Sequence, residues 1–461
     1  MLLAVVLAFG IAHFFATSAR ADDHGGSGGH GGGSSGGGGG GSGGSGSSGG
    51  PGGGGDSGSS GHGSGSGSDD AAGSGDDDKG QTGGENDTGG GNRGDRYEAG
   101  EIVVLADRPE ILPKAREMGF RLIVEQRLAA LDLSVLRLRT PLHVDEQVAL
   151  AMLRAEFPQL TADVNSLYAP YSTQAQQIVS LPAPDYARNM IGWTAGESCG
   201  AGLRIGMIDM APGPSPALSG QRLHLRSFLD DGEKAADSGH GTAIASLLVG
   251  HGLAGHAEAA GLLPAADLYA ATVFARAGDR SAASAFAIAG ALDWMAANHV
   301  RVVNISLSGG ANSLLNIAVQ RATAKGTVLV AAAGNNGPGA PPSFPAALPA
   351  VIAVTAVDQE GHIYDRANQG DYIAFSAPGV GIWAPTPDAL GQYLTGTSLA
   401  APFMTGAAAL ELMNGAPGDG TAISRRLAAR ARDLGKAGKD PVYGYGLVRA
   451  ASACGTAAPT P

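Results

Sequence analysis

The chain has no surplus of basic residues. Thirty Lys and Arg stand against 42 Asp and Glu, a net charge of −12. A nucleic-acid binder would carry a basic face, so no nucleic-acid partner is expected; the charge says nothing about fold. Beyond residue 21 there is no apolar run long enough for a membrane span. Apolar residues are scarce between residues 22 and 96, where many of the 76 glycines lie. Little surface is available there to offset the entropy lost on folding. The segment reads as a disordered Gly/Ser linker, acidic toward its end at Asp69, Asp70, Asp76, Asp77 and Asp78. Within so biased a stretch, Arg93-Gly94-Asp95 and the scattered His24, His30 and His62 read as coincidences of composition. Cysteine is limited to Cys199 and Cys454.

What is present begins with an apolar N-terminus, Met1-Leu2-Leu3-Ala4-Val5-Val6-Leu7-Ala8-Phe9-Gly10-Ile11-Ala12, followed by Ser18-Ala19-Arg20-Ala21. This pattern reads as a secretory signal peptide over residues 1–21, cleaved after Ala21. No Lys or Arg precedes the apolar core, a departure from the usual form. An uncleaved anchor is the rival, but His13 interrupts a run already short of the ~20 residues that span a bilayer. Export makes a Cys199–Cys454 disulfide chemically permissible. The bond would tie together the two ends of the C-terminal domain. Two unpaired thiols are the alternative, since sequence does not supply the Cα separation.

Residues 97–171 alternate short apolar strands with amphipathic helices: strand 101–106, helix 109–118, strands 120–125 and 134–139, helix 144–157 and strand 164–168. That order is the split βαβ, ferredoxin-like arrangement. A polar, Pro-broken connector follows over 172–188. From 189 to 461, apolar runs at 203–208, 268–273, 300–305, 328–332, 351–354 and 373–375 alternate with helical runs at 242–249, 282–297, 314–325 and 398–413. Near-continuous apolar strands separated by helices predict a doubly wound, mostly parallel α/β sheet covered on both faces. The chain is therefore expected to combine a disordered linker, a small α+β ferredoxin-like domain and an α/β domain.

Four places carry chemistry. Asp209 ends the apolar strand Ile205-Gly206-Met207-Ile208, where sites of open α/β sheets collect. His240-Gly241-Thr242 opens a helical run, which can project an imidazole into a cleft. Asn335 follows Ala332-Ala333-Gly334 after an apolar strand, and its amide could donate to a developing oxyanion; Asn336 is a nearby competitor. Gly396-Thr397-Ser398-Leu399-Ala400-Ala401-Pro402 places a serine at a helix start, where N–H groups and the dipole favour a nucleophile. Any one of these alone reads as a turn or cap residue, apart from the serine motif.

Together, in the order Asp209, His240, Ser398, they resemble the subtilisin-like serine protease family. Ser306-Leu307-Ser308-Gly309 and Tyr443-Gly444-Tyr445-Gly446-Leu447-Val448 extend the resemblance over most of residues 189–453. It implies that Ser398 is the nucleophile, His240 the general base and Asp209 its orienting acid, with Asn335 in the oxyanion hole. Ser306, Leu307, Ser308 and Gly309 would bind extended substrate and, with Ala332, Ala333 and Gly334, wall the pocket for the residue before the cut. Ser343 and Phe344-Pro345 would lie near its floor. No acidic residue lies among these segments, so apolar or medium-sized residues are expected there over Lys or Arg.

The ferredoxin-like unit resembles the family's propeptide, an intramolecular chaperone and inhibitor, with self-cleavage between Tyr168 and Gln177, favoured at or just after Tyr171. A permanently attached accessory domain is the alternative. The expected partners are polypeptide substrates and the chain's own propeptide, and the expected state is a monomer without cofactor. The rival readings are a catalytically weak or inactive binding protein of the same fold and a surface spacer built on the Gly-rich linker. A lipase or esterase is disfavoured, because Ser398 lacks a Gly-x-Ser-x-Gly elbow.

Three departures from the family pattern bear on the site. Met210-Ala211 follows Asp209 in place of a small hydroxyl residue and Gly, which could alter that turn. Ala243 stands where many relatives carry a second His, and Ser308 where Gly is common. The segment Gly250-His251-Gly252-Leu253-Ala254-Gly255-His256 also lacks the Asn-rich loop that binds calcium tightly in many relatives. No strong calcium site is expected there, with weak sites elsewhere left open. The melting temperature should accordingly stay unchanged in excess chelator; a large fall would contradict this expectation.

Overall fold

The computed structural model describes residues 96–170, 181–194, 196–253, 260–278, 280–387, 389–451 and 454. The proposed signal peptide, the Gly-rich linker but for Arg96, the expected processing bond after Tyr171 and part of the 250–256 segment lie outside the described residues.

The N-terminal part comprises β1 (Tyr97–Leu105), α1 (Ile111–Glu117), β2 (Arg121–Leu128), β3 (Leu133–Arg139), α2 (Glu146–Glu156) and β4 (Ala162–Pro170). Its four strands run antiparallel in the order β2-β3-β1-β4. After it come α3 (Tyr186–Ile191), β5 (Arg204–Asp209), β6 (Leu223–Ser227), α4 (Gly239–Val249), β7 (Asp267–Thr272), β8 (Ala275–Ala277), β9 (Arg280–Ser284) and α5 (Ala285–Ala297). The chain continues through β10 (Val302–Ile305), β11 (Leu307–Ser308), α6 (Ser313–Ala324), β12 (Val328–Ala332), β13 (Val351–Val357), β14 (Ile373–Pro378), β15 (Ile382–Thr386), β16 (Ala389–Leu394), α7 (Thr397–Met413) and α8 (Gly420–Ala428).

Seven strands form the parallel sheet, in the order β14-β13-β12-β10-β5-β7-β6. Every residue of β10, β12 and β13 is buried, as expected where helices cover both faces. The two-residue side-chain period divides the core. Val328, Val330 and Ala332 join a cluster with α4 and α7, around Ile244, Leu248 and Met404. Leu329 and Ala331 point the other way, toward Ile288, Leu292, Leu315 and Val319 of α5 and α6. Cys199 and Cys454 are joined, with Cα atoms 5.5 Å apart.

The same period divides the small N-terminal sheet. Ile102, Val104, Leu136 and Leu138 pack with Ile111, Leu150 and Leu153 of its own helices. Val103, Leu133 and Val135 instead enter the cluster that contains α5 and α6. The two sheets thus share one apolar layer. Polar contacts complete it. Asp163 Oδ2 accepts from the Ser313 N–H (2.8 Å) and Asn165 Oδ1 from the Phe286 N–H (3.3 Å), which satisfies N–H groups that the first turns of α6 and α5 leave unpaired. Arg137 makes two bonds to Asp230, of 2.9 and 2.6 Å.

Residues 282–284, expected as helix, are strand. β4 lies between β9 and β11, with Leu167 opposite Ser284, Tyr168 opposite Ala283, Ala169 opposite Ser308 and Pro170 opposite Leu307. Strand pairing on β4 takes up the backbone groups of 283 and 284. The Ser284 side chain then caps α5 by accepting from the Ala287 N–H (3.1 Å). β6 was not expected, because its edge position leaves most of its side chains exposed and removes the apolar pattern.

Leu131 is fully buried in the shared layer, and its N–H donates to Asp293 Oδ1 (3.0 Å). Leu131→Ala should lower the stability of the uncleaved chain by about 2–5 kcal/mol. Denaturant unfolding in a Ser398→Ala background, which keeps the chain intact on the enzyme reading, measures this as a lower midpoint.

Candidate active site

Asp209 ends β5 with its carboxylate fully buried. Oδ1 accepts from the Met210 N–H (2.6 Å) and lies 2.7 Å from His240 Nδ1. The backbone N–H of Met210 thus holds the carboxylate, although Met210-Ala211 departs from the family pattern. His240 lies in the first turn of α4. Facing a carboxylate, Nδ1 carries the proton and Nε2 is left as the acceptor.

Close approach of two backbones sets this pair. A Cβ on Gly241 would lie 2.8 Å from the Ala211 carbonyl oxygen and would also strike that of Met210, so only glycine lets α4 come this near the end of β5. Thr242 ties the two together: its hydroxyl accepts from the Gly213 N–H (2.8 Å) and donates to the Ser238 carbonyl (2.7 Å). Ala243 is fully buried.

Ser398 lies in the first turn of α7, which packs against α4. Asn335 follows β12 in a loop that passes the same point. A Cβ on Gly396 would sit 3.0 Å from Asn335 Nδ2 and 3.4 Å from Ser398 Oγ, so amide and hydroxyl border one small space. The orientation of the amide is fixed from behind. Asn335 Oδ1 accepts from the Thr397 N–H (3.0 Å) and the Thr397 hydroxyl (2.8 Å), and a backbone N–H can only donate. Nδ2 therefore points away, free to donate.

His240 Nε2, Ser398 Oγ and Asn335 Nδ2, like Asp209 Oδ2 beside them, are buried without a hydrogen-bond partner. Buried polar groups are otherwise nearly always satisfied. His240 Nε2, Ser398 Oγ and Asn335 Nδ2 offer a ring nitrogen, a hydroxyl and an amide donor of the kind an acyl-transfer reaction would engage. The structure thus joins Asp209 to His240 directly, and Ser398 to Asn335 through their common neighbour.

The expected substrate segments converge nearby. Ser306 is buried and its hydroxyl accepts from Asn304 Nδ2 (2.9 Å). Leu307 and Ser308 pair with β4, so the Ser308 side chain does not prevent an added strand. Gly309 and Phe344 exchange both backbone bonds, 3.1 and 3.0 Å, which brings Phe344 against that strand. The Tyr372 hydroxyl donates to the Ala333 carbonyl (2.9 Å). Burial pushes the Tyr372 phenol above its ordinary range, against hydrogen bonding from the Ser343 backbone and the Asn368 side chain, so it stays a neutral donor. Sequence reasoning missed Thr397, Tyr372 and Asn368. Thr397 lies inside the serine motif and could have been suspected. The other two carry no local pattern.

Fold and site together define a subtilisin-like serine peptidase. Comparison with known proteins agrees. The profile of the Subtilase family matches residues 225–446. Subtilisin Savinase of Lederbergia lenta is 33% identical over 259 residues, 55% of this chain and 91% of that protein. The chain belongs to the subtilase family. The minor extracellular protease Epr of Bacillus subtilis is 32% identical over 270 residues, 56% of this chain but only 39% of that longer protein. Fervidolysin from Fervidobacterium pennivorans, described as a keratinolytic enzyme related to subtilisin, shares the fold with a TM-score of 0.64. Its identity is 22%, covering 78% of this chain and 61% of fervidolysin.

Gly241→Ala should push α4 from the end of β5 and destabilise the chain by about 1–3 kcal/mol. Denaturant unfolding in the Ser398→Ala background measures it, and an unchanged midpoint would contradict the close approach.

Proposed function

We propose that this chain is an exported serine endopeptidase, made as a self-processing zymogen. The observation that carries the proposal is the buried Asp209–His240 contact with three unpaired polar atoms, His240 Nε2, Ser398 Oγ and Asn335 Nδ2. In this reading Ser398 Oγ attacks the scissile carbonyl carbon and His240 Nε2 takes its proton. Asp209 stabilises the imidazolium. The oxyanion is met by Asn335 Nδ2 and the Ser398 N–H. As the C–N bond breaks, His240 returns the proton to the leaving amine. Water then repeats the sequence on the acyl-enzyme. The side chains and backbone supply every group needed, so no cofactor is proposed.

The zymogen reading is supported by β4, which occupies the space between β9 and β11 as an added strand. Its last described residue, Pro170, pairs with Leu307, and the proposed cut follows the next residue, Tyr171. Tyr168 suggests one substrate preference. Its ring packs where a Cβ on Gly309 would lie (2.5 Å), and its hydroxyl donates to the Gly310 carbonyl (3.1 Å). An aromatic residue three positions before the residue at the cut is therefore favoured, with an apolar or medium-sized residue at the cut itself. Export is supported by the N-terminal pattern and by the extracellular character named for Epr. Residues 22–96 are proposed as linker, 97–171 as propeptide and 189–461 as the catalytic part, with the product acting as a monomer.

Expression of the full chain and of Ser398→Ala tests the reading. The unsubstituted chain should yield a fragment whose N-terminus begins just after Tyr171 and which cleaves peptides. The Ser398→Ala chain should remain unprocessed beyond signal removal and lose activity by about 10⁴-fold or more. Equal processing and hydrolysis in both would sink the proposal.

A further inference from the structure

Asn368 lies in the loop between β13 and β14, fully buried; its N–H and side-chain amide reach the loop that carries Asn335, and its side chain also hydrogen-bonds the Tyr372 phenol. Its N–H donates to the Gly334 carbonyl (3.0 Å), its Oδ1 accepts from the Asn336 N–H (2.9 Å), and its Nδ2 donates to the Pro341 carbonyl (3.2 Å). The assignment of the amide is unambiguous, since a backbone N–H only donates and a carbonyl only accepts. Asn368 therefore holds the residues on both sides of Asn335.

Packing reinforces these bonds. Gly334 has φ +124°, and a Cβ there would lie 2.5 Å from Asn368 Cγ. The amide plane sits directly against the backbone that leads into Asn335. Thr397 grips the Asn335 side chain from the opposite side. The oxyanion donor is thus clamped between Thr397 on its side chain and Asn368 on its backbone.

We propose that Asn368 is a positioning residue for the Asn335 oxyanion donor, acting through the Gly334–Asn336 backbone and never on substrate. The inference rests on the enzyme reading above. Loss of its side chain would leave the Asn336 N–H, the Pro341 carbonyl and the Tyr372 phenol without this partner and let the Asn335 amide drift. The loop would stay attached through the Asn368 N–H bond and the Gly337 N–H bond to the Arg366 carbonyl (2.8 Å), so the fold is expected to stand. A donor that matters only as charge develops on the carbonyl oxygen affects kcat and not ground-state binding.

The test is a double-mutant cycle on the processed enzyme with a peptide substrate, comparing the unsubstituted enzyme, Asn368→Ala, Asn335→Ala and the double variant. Asn335→Ala should lower kcat by about 10²–10³-fold. Asn368→Ala should lower kcat by about 10–100-fold with KM within about twofold, and by less than about threefold when Asn335 is already Ala. An equal loss in both backgrounds, a loss confined to KM, or no loss would overturn the proposal. If Asn368→Ala fails to fold or process, Asn368→Asp replaces it in the cycle. That side chain is nearly isosteric and keeps the acceptor for Asn336 but not the donor to Pro341. Its kcat loss should likewise be absorbed by Asn335→Ala, and an additive loss overturns the proposal. Absence of Ser398-dependent hydrolysis in the unsubstituted enzyme would overturn the enzyme reading itself, and this inference with it.

Discussion

The buried Asp209–His240 contact is the constraint around which the site is arranged. A carboxylate with no exposure is costly unless it is hydrogen-bonded and paired. Asp209 meets this at Oδ1, with one backbone N–H and one imidazole, while its buried Oδ2 has no partner. Bringing the imidazole there requires α4 to start almost in contact with the turn after β5, which in turn requires a residue without a side chain at 241. The Thr242 hydroxyl then secures both backbones. The polar geometry at the end of the sheet follows from that one close approach, with the buried apolar strands β10, β12 and β13 behind it.

A second dependence runs between the two parts of the chain. The small N-terminal sheet does not have a closed core of its own. One of its faces is covered by α1 and α2, and the other is completed by α5 and α6. Its last strand supplies pairing to β9 and β11, and two of its polar side chains serve the first turns of α5 and α6. Sheets whose strand pairs are distant in sequence are slow to order. β4 lies in the space between β9 and β11.

Much of this was legible in the sequence, for physical reasons that vary by element. Runs such as Val328–Ala332 are buried on both faces, so they read as unbroken apolar stretches. His240 and Ser398 sit in short motifs of small residues, because close backbone packing at Gly241 and Gly396 demands them, and Asp209 ends an apolar strand. The 282–284 segment misled because its strand character comes from β4, more than a hundred residues earlier. β6 was invisible because an exposed edge strand has little apolar pattern to show. Asn368 sits in Arg366-Ala367-Asn368-Gln369-Gly370, which reads as an ordinary loop; its partners at 334, 336 and 341 come near only in the folded chain.

The doubly paired position of β4 also bears on what the proposed protease could attack. A guest lying between β9 and β11 must offer backbone N–H and C=O groups on both of its edges. A helix has spent those groups internally, and a strand within a folded sheet has spent them on its neighbours. Such a cleft would sort its targets first by looseness, accepting unfolded chains and long mobile loops and sparing well-folded proteins whatever their side chains.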